Sequence, residues 1–182
     1  MPVTTTTETP RSAAAQHPGV LAPSSADLLA WCDTAATTPV MPASAFLRCL
    51  VGELAAGHRE QWSAEDRSRC GGPVEVAVAK RRIDELNARR VALVDRLNEH
   101  VAAYAPACRA GAALHTETVG SVIDRLVIAV VRAQRVDRAR AEIAATQLRE
   151  LAAAYDGLLA EVAAGQRRLP GWTALKTYGA RP

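Results

Sequence analysis

Between Ser44 and about Arg69 the apolar residues Leu47, Val51 and Leu54 recur at the spacing that keeps side chains on one face of a helix. Carried onward at that spacing, the stripe reaches His58, then Gln61 and Trp62, then Glu65. A face that begins apolar therefore ends in ionisable groups. The run Cys70-Gly-Gly-Pro73 breaks the pattern, and a second long helix is expected from Val74 to about Tyr104, stopped near Pro106. After a loop through Gly111 a third begins near Thr116 and continues or restarts through Arg138 to Ala164, with Gly165 as its stop. Upstream, Ser24 followed three residues later by Asp27 reads as the N-cap of a short helix through Trp31. Residues 1–22 are rich in Thr, Pro and small residues without periodicity, and are expected to form a disordered leader. Residues 23–182 are then a single domain, an all-α antiparallel bundle of four or more helices.

Composition agrees with this picture. A chain of 182 residues can bury roughly 70% of its unfolded surface in one domain. Aromatic residues make up only 4% and alanine is abundant, which favours helix over sheet. The net charge of +3 arises from 22 basic and 19 acidic residues interleaved along helices, the pattern of a solvated surface and not of a nucleic-acid footprint. Cys32, Cys49, Cys70 and Cys108 lie far apart with no C-x-x-C pair, and read as reduced structural thiols. No apolar run is long enough to span a bilayer and no signal-peptide pattern is present, so a cytoplasmic location without membrane contact is expected.

Several polar groups fall on faces that should be apolar. In the second helix Ile83, Leu86, Leu93, Val94, Leu97 and Val101 share one side, while Arg81, Arg82, Glu85, Arg89, Arg96 and Glu99 share the other. Arg90 falls in the middle of the apolar side, and Lys80, Asp84, Asn87 and Asn98 form a row along its edge. An arginine in such a place needs an acidic partner, because an unpaired buried charge costs several kcal/mol. The third helix offers Glu117 and Asp124, seven residues apart and expected on nearly one side, with Asp124 and Arg125 interrupting the run from Val119 to Val131. The expectation is a polar pocket inside an apolar bundle. The plainer alternatives are a structural Asp124–arginine pair that fixes helix register, a boundary histidine at His58, and a capping box at Ser63–Asp66 where one helix gives way to another.

The segments "HREQWSAEDRSR", "AKRRIDELNARR" and "TETVGSVIDRL" also resemble, in order and spacing, the bacterial all-helical family catalogued as domain of unknown function 4254. The resemblance spans roughly residues 44–180. It is carried by His58, Trp62, Glu65, Asp66 and Arg69, then by Lys80, Ile83, Asp84, Asn87 and Arg90. Thr116, Glu117, Thr118, Gly120, Ser121, Asp124 and Arg125 carry it in the third segment, with Lys176 and Tyr178 near the end. Departures include Val119 in place of a proline and Arg132 and Arg135 in place of lysine and histidine, the marks of a divergent member. The family's setting among envelope-glycan and specialised-metabolite genes implies small-molecule chemistry.

No Gly-rich phosphate loop, G-x-S-x-G elbow, H-E-x-x-H or paired E-x-x-H motif is present. The residues point first to a cofactor-free enzyme using acid/base and electrostatic catalysis on an anionic or polar small molecule. Rearrangement, cyclisation, isomerisation and elimination all suit it. Glu117, Asp124, His58 and Glu65 are the candidate catalytic groups, and Lys80, Asp84, Asn87, Arg90, Arg125, Trp62, Lys176 and Tyr178 the candidate substrate-binding ones. A second reading is a Mg²⁺-dependent phosphoanhydride or nucleotide hydrolase, with Glu65, Asp66, Asp84, Glu117 and Asp124 as oxygen ligands. A third is a non-enzymatic binding or scaffold protein, and a homodimer is compatible with each.

Overall fold

A computed structural model describes residues 21–33 and 42–172. Five helices among them are α1 (Ser25–Cys32), α2 (Pro42–Cys70), α3 (Pro73–Tyr104), α4 (Val119–Arg135) and α5 (Arg138–Ala163). The chain is all-α apart from a parallel pairing of β1 (Ala113–Leu114) with β2 (Arg167–Arg168), which the sequence pattern does not announce. No helix among the described residues is long and apolar enough to cross a membrane. The leader expected over residues 1–22 lies outside the described residues as far as residue 20. Leu21 and Ala22, however, are buried in the core, so the packed chain begins earlier than residue 23.

Local chemistry sets most of the helix ends. Ser24 and Asp27 form the expected capping box at α1, and a second carboxylate strengthens it from across the bundle: Ser25 donates from its backbone N to Asp156 Oδ1 at 2.9 Å and from Oγ to Asp156 Oδ2 at 2.5 Å. Beside that contact the buried Tyr155 hydroxyl donates to Pro23 O at 2.8 Å. At the other end of α1, Arg59 Nη2 donates to Cys32 O, one of the carbonyls left open by the helix terminus. Burial pushes the Cys32 thiol up to about 11, with Arg59 working against the shift. Of the four thiols only Cys32 is buried; Cys49, Cys70 and Cys108 are exposed, so a structural role fits one of them.

Two sequence expectations are corrected. Ser63–Asp66 is not a helix junction, because α2 runs unbroken through it and Ser63 Oγ donates back to Arg59 O at 3.2 Å. The third helix starts at Val119 and not near Thr116, because the Thr118 side chain caps it by accepting from Ser121 N at 3.2 Å. It then ends and restarts: Val136 is its C-cap, and Asp137 caps α5. Gly165 closes α5 with φ of 68°, the left-handed conformation that glycine adopts without strain, and its N donates to Val162 O at 2.9 Å.

The core is centred on α4, which packs against all four other helices. Val119, Ile123, Leu126, Val127 and Val130 of α4 meet Leu47, Leu50, Val51 and Leu54 of α2, Leu93 and Leu97 of α3, and Tyr155 and Leu158 of α5. Full burial of each such aliphatic side chain contributes about 1.5–3 kcal/mol. The α2 stripe leaves this core where it turns polar at His58. Beyond that point α2 and α3 continue as a hairpin, with Ala64, Ala79, Ile83 and Leu86 buried outside the main cluster.

Surface pairs hold the hairpin in antiparallel register, Arg82 Nε to Glu60 Oε1 at 2.7 Å and Arg89 Nη2 to Glu53 Oε2 at 2.8 Å, while Arg82 Nη1 also reaches Glu85 Oε2 of its own helix at 2.7 Å. These hydrogen bonds hold the Glu53 and Glu60 carboxyls below their ordinary value and raise the Arg82 guanidinium. The stabilisation they give is present above the ordinary carboxylate range and is lost as pH falls through the lowered folded-state values. Being exposed, the pairs contribute little each and are screened by salt. A Glu53→Gln/Glu60→Gln variant should therefore show a smaller drop in Tm on acidification than wild type, with the gap narrowing in high salt; thermal melts across the acid limb check this.

The seam between α3 and α4 depends on a residue without a side chain. Gly120 N donates to Asn98 Oδ1 at 2.8 Å, and a Cβ at Gly120 would lie 2.5 Å from that oxygen and 2.7 Å from Val94 O. The backbone carbonyl cannot swing away, so the two helices would have to separate. Gly120→Ala should cost about 1–3 kcal/mol in urea unfolding, whereas Gly157→Ala, which meets nothing within 4 Å, should not destabilise.

Candidate functional site

His58 and Asp124 meet where the apolar core gives out. His58 sits on α2 one turn beyond Leu54, and Asp124 on the inner face of α4 between Ile123 and Val127. His58 is 9% exposed and Asp124 7%, and His58 Nε2 lies 2.8 Å from Asp124 Oδ1. A carboxylate only accepts, which places the shared proton on Nε2. The other carboxylate oxygen, Oδ2, is 3.5 Å from Arg90 Nε of α3. Three helices thus converge on one carboxylate, and this is why an acid interrupts the apolar run of α4. Its neighbour Arg125 is one residue further round the helix and exposed.

His58 and Arg90 also line a cavity of about 240 Å³ on the far side of this cluster from the main core. Trp62, Ile128 and Val131 form its apolar walls, and Gln61, Glu65, Asp66 and Arg69 its remaining polar lining. The α2 contributors follow at helical intervals, so one face of α2 supplies the length of the cavity. His58 Nδ1 makes no hydrogen bond among the described residues, and no buried side-chain nitrogen or oxygen among them lacks a partner. Nδ1 is therefore open to the space beside it. The terminal nitrogens of Arg90 are free in the same way, and no ion pair among the described residues engages Glu65, Asp66 or Arg69.

The sequence-derived candidates divide into two groups. His58, Trp62, Glu65 and Arg90 come together at the cavity and Asp66 joins its rim, while Asp124 holds His58 and Arg90 without lining the cavity itself. Glu117 does not: it lies ahead of the α4 N-cap, so the seven-residue helical spacing to Asp124 does not apply to it. Its carboxylate instead accepts from Arg125 Nη2 at 2.6 Å, and both side chains are partly or largely exposed. Lys80 and Asp84 are exposed on α3 and Asn87 is half-buried, none of them at the cavity wall. Lys176 and Tyr178 lie outside the described residues. Gln61, Arg69, Ile128 and Val131 line the cavity without having been singled out for it. Arg69 was legible, since it continues the α2 stripe eleven residues past His58, and so was the alignment of Ile128 and Val131 with Asp124 along one row of the helix, although their role as cavity walls was not. Nor do the oxygen ligands of the metal reading converge: among the described residues no group of three His, Cys, Asp or Glu side chains is placed to hold an ion.

A helical bundle with a buried carboxylate–imidazole pair whose imidazole lines a cavity of mixed polarity is the class that fold and site define. The chain belongs to the family described as "Protein of unknown function (DUF4254)", whose model matches residues 48–140, a span that includes every residue of the cavity. No curated protein and no solved structure matches the chain.

The cluster carries a stability consequence. Asp124→Ala leaves the buried His58 Nε2–H without its acceptor and should cost about 1–3 kcal/mol, Arg90 being exposed enough to turn to water. The double replacement His58→Leu/Asp124→Leu fills the same space with apolar groups and should recover most of that loss. Urea titrations of the single and double variants at neutral pH measure the difference.

Proposed function

We propose that this protein is an enzyme that moves protons on a small polar molecule by acid/base and electrostatic catalysis, with His58 as the proton carrier and no cofactor needed for that step. The observation that carries the reading is the buried His58–Asp124 pair, whose histidine lines the cavity while its Nδ1 makes no hydrogen bond among the described residues. Asp124 holds the ring in one tautomer, with the proton on Nε2 and the lone pair on Nδ1. Nδ1 accepts a proton from the bound molecule, and Asp124 stabilises the imidazolium that forms. Arg90 then offers its terminal N–H groups to the oxygen on which negative charge grows. Trp62, Ile128 and Val131 keep one side of the ligand dry, which strengthens both interactions.

This toolkit suits isomerisation or elimination that starts with removal of a proton next to a carbonyl or carboxylate, and the same step opens cyclisations and rearrangements. A place in bacterial specialised metabolism follows from the family resemblance and belongs to the proposal. The charges of the hydrolase reading are distributed otherwise, with Asp84 and Glu117 remote from the cavity.

Exchange of carbon-bound hydrogen for solvent deuterium, followed by NMR over a pool of small hydroxy-, keto- and amino acids, tests the reading whatever product the reaction forms. Wild type should label at least one member, and His58→Asn should slow that labelling by about 10²–10⁴-fold. Asp124→Asn should slow it too by favouring the wrong tautomer. Equal labelling by wild type and both variants, or none by wild type, counts against the proposal.

A further inference from the structure

The two ends of the cavity differ in charge, and the difference describes the ligand. Gly120 with Asn98 and Asp124 with Arg90 set α3 antiparallel to α4, while the Glu60–Arg82 and Glu53–Arg89 pairs set α2 antiparallel to α3. Helices α2 and α4 therefore run parallel. His58 and Asp124 mark one end of the cavity; Trp62 and Ile128 lie one turn on, and Glu65 and Val131 about two turns on. At 1.5 Å per residue, Glu65 is set about 10 Å along α2 from His58.

At the near end the Arg90 charge is shared with Asp124 through Nε alone, so its terminal N–H groups remain for an oxyanion. At the far end Glu65 and Asp66 outnumber Arg69, and none of the three is ion-paired among the described residues. That end favours a cation, and the Trp62 face beside it adds a cation–π surface. Between the ends the walls are apolar. The half-open space of about 240 Å³ has room for a small molecule.

Building on the acid/base reading of the same site, we infer that the ligand is a small zwitterion whose oxyanion and ammonium are separated by a short apolar chain. The oxyanion binds the terminal N–H groups of Arg90 beside His58 Nδ1, the chain lies along Trp62 and Ile128, and the ammonium meets Glu65 and Asp66. A purely anionic molecule is disfavoured by the acidic far end, which narrows the anionic or polar class expected from the sequence. His58, more than nine-tenths buried, lining the cavity and with Nδ1 unbonded among the described residues, distinguishes this place from a chance patch of surface charges.

The matched set 6-aminohexanoate, hexanoate and hexylamine tests this directly, with 5-aminopentanoate and 4-aminobutanoate to vary length and calorimetry to read affinity. Wild type should bind at least one of the three zwitterions about tenfold or more tightly than hexanoate or hexylamine, a difference of about 1.4 kcal/mol. Glu65→Gln/Asp66→Asn should abolish the advantage over hexanoate while leaving hexanoate binding intact, and Arg90→Gln should abolish the advantage over hexylamine. Circular dichroism and thermal melts establish that each variant is folded. The inference is overturned if hexanoate binds as well as the zwitterions, if the acid variant leaves the ratio unchanged, or if no zwitterion titrates at millimolar concentration. Deuterium exchange that still depends on His58 would then leave the acid/base reading standing, whereas zwitterion binding with exchange indifferent to His58 would overturn that reading alone.

Discussion

Asp124 is a carboxylate held among valines, isoleucines and leucines on the most deeply packed helix of the bundle. Removing such a group from water costs several kcal/mol unless its oxygens find donors. Here one oxygen takes the imidazole of α2 and the other faces the guanidinium of α3. The pairing constrains how α4 can be rotated about its axis. With Asp124 facing inward, Arg125 must face solvent, and Ile128 and Val131 must follow Asp124 along the side toward α2. The apolar walls of the cavity are thus a consequence of where the acid points.

A second polar contact sets the spacing of the helices. The Gly120 backbone reaches the Asn98 side chain because no Cβ stands between α3 and α4. This close approach lies one turn before Asp124 on α4 and brings Arg90 near enough to contribute. Between α4 and its neighbours α2 and α3 the rest of the contact is mostly apolar packing, which is tolerant of small shifts. The two polar contacts are directional and define the arrangement more narrowly.

The cavity lies at a boundary. On one side is a continuous core of α1, α2, α3, α4 and α5; on the other the α2–α3 hairpin continues beyond it with its own narrow seam. Apolar residues at positions 58 and 124 together would extend the core with no buried charge to compensate. On the proposed reading, the histidine there trades stability for chemistry, as functional sites commonly do. The outer hairpin pairs, Glu60 with Arg82 and Glu53 with Arg89, restore register at a distance from the site.

Much of this was legible in the residue order because helical periodicity is a local property. The extents of α2 and α3, the cap at Ser24, the stop at Gly165 and the anomalies at His58, Arg90 and Asp124 all follow from spacing along one element. Glu117 was misplaced because a single capping side chain, Thr118, moves the start of α4 and takes Glu117 off the helix. Lys80, Asp84 and Asn87 share an edge of α3, yet spacing cannot tell an edge facing a neighbour from one facing water. The tertiary structure decided that, along with the α1 cap from Asp156, the β1–β2 pairing and the α4 walls of the cavity. Each joins residues far apart in the chain, and such contacts depend on how helices are rotated and stacked, which the period within one helix leaves free.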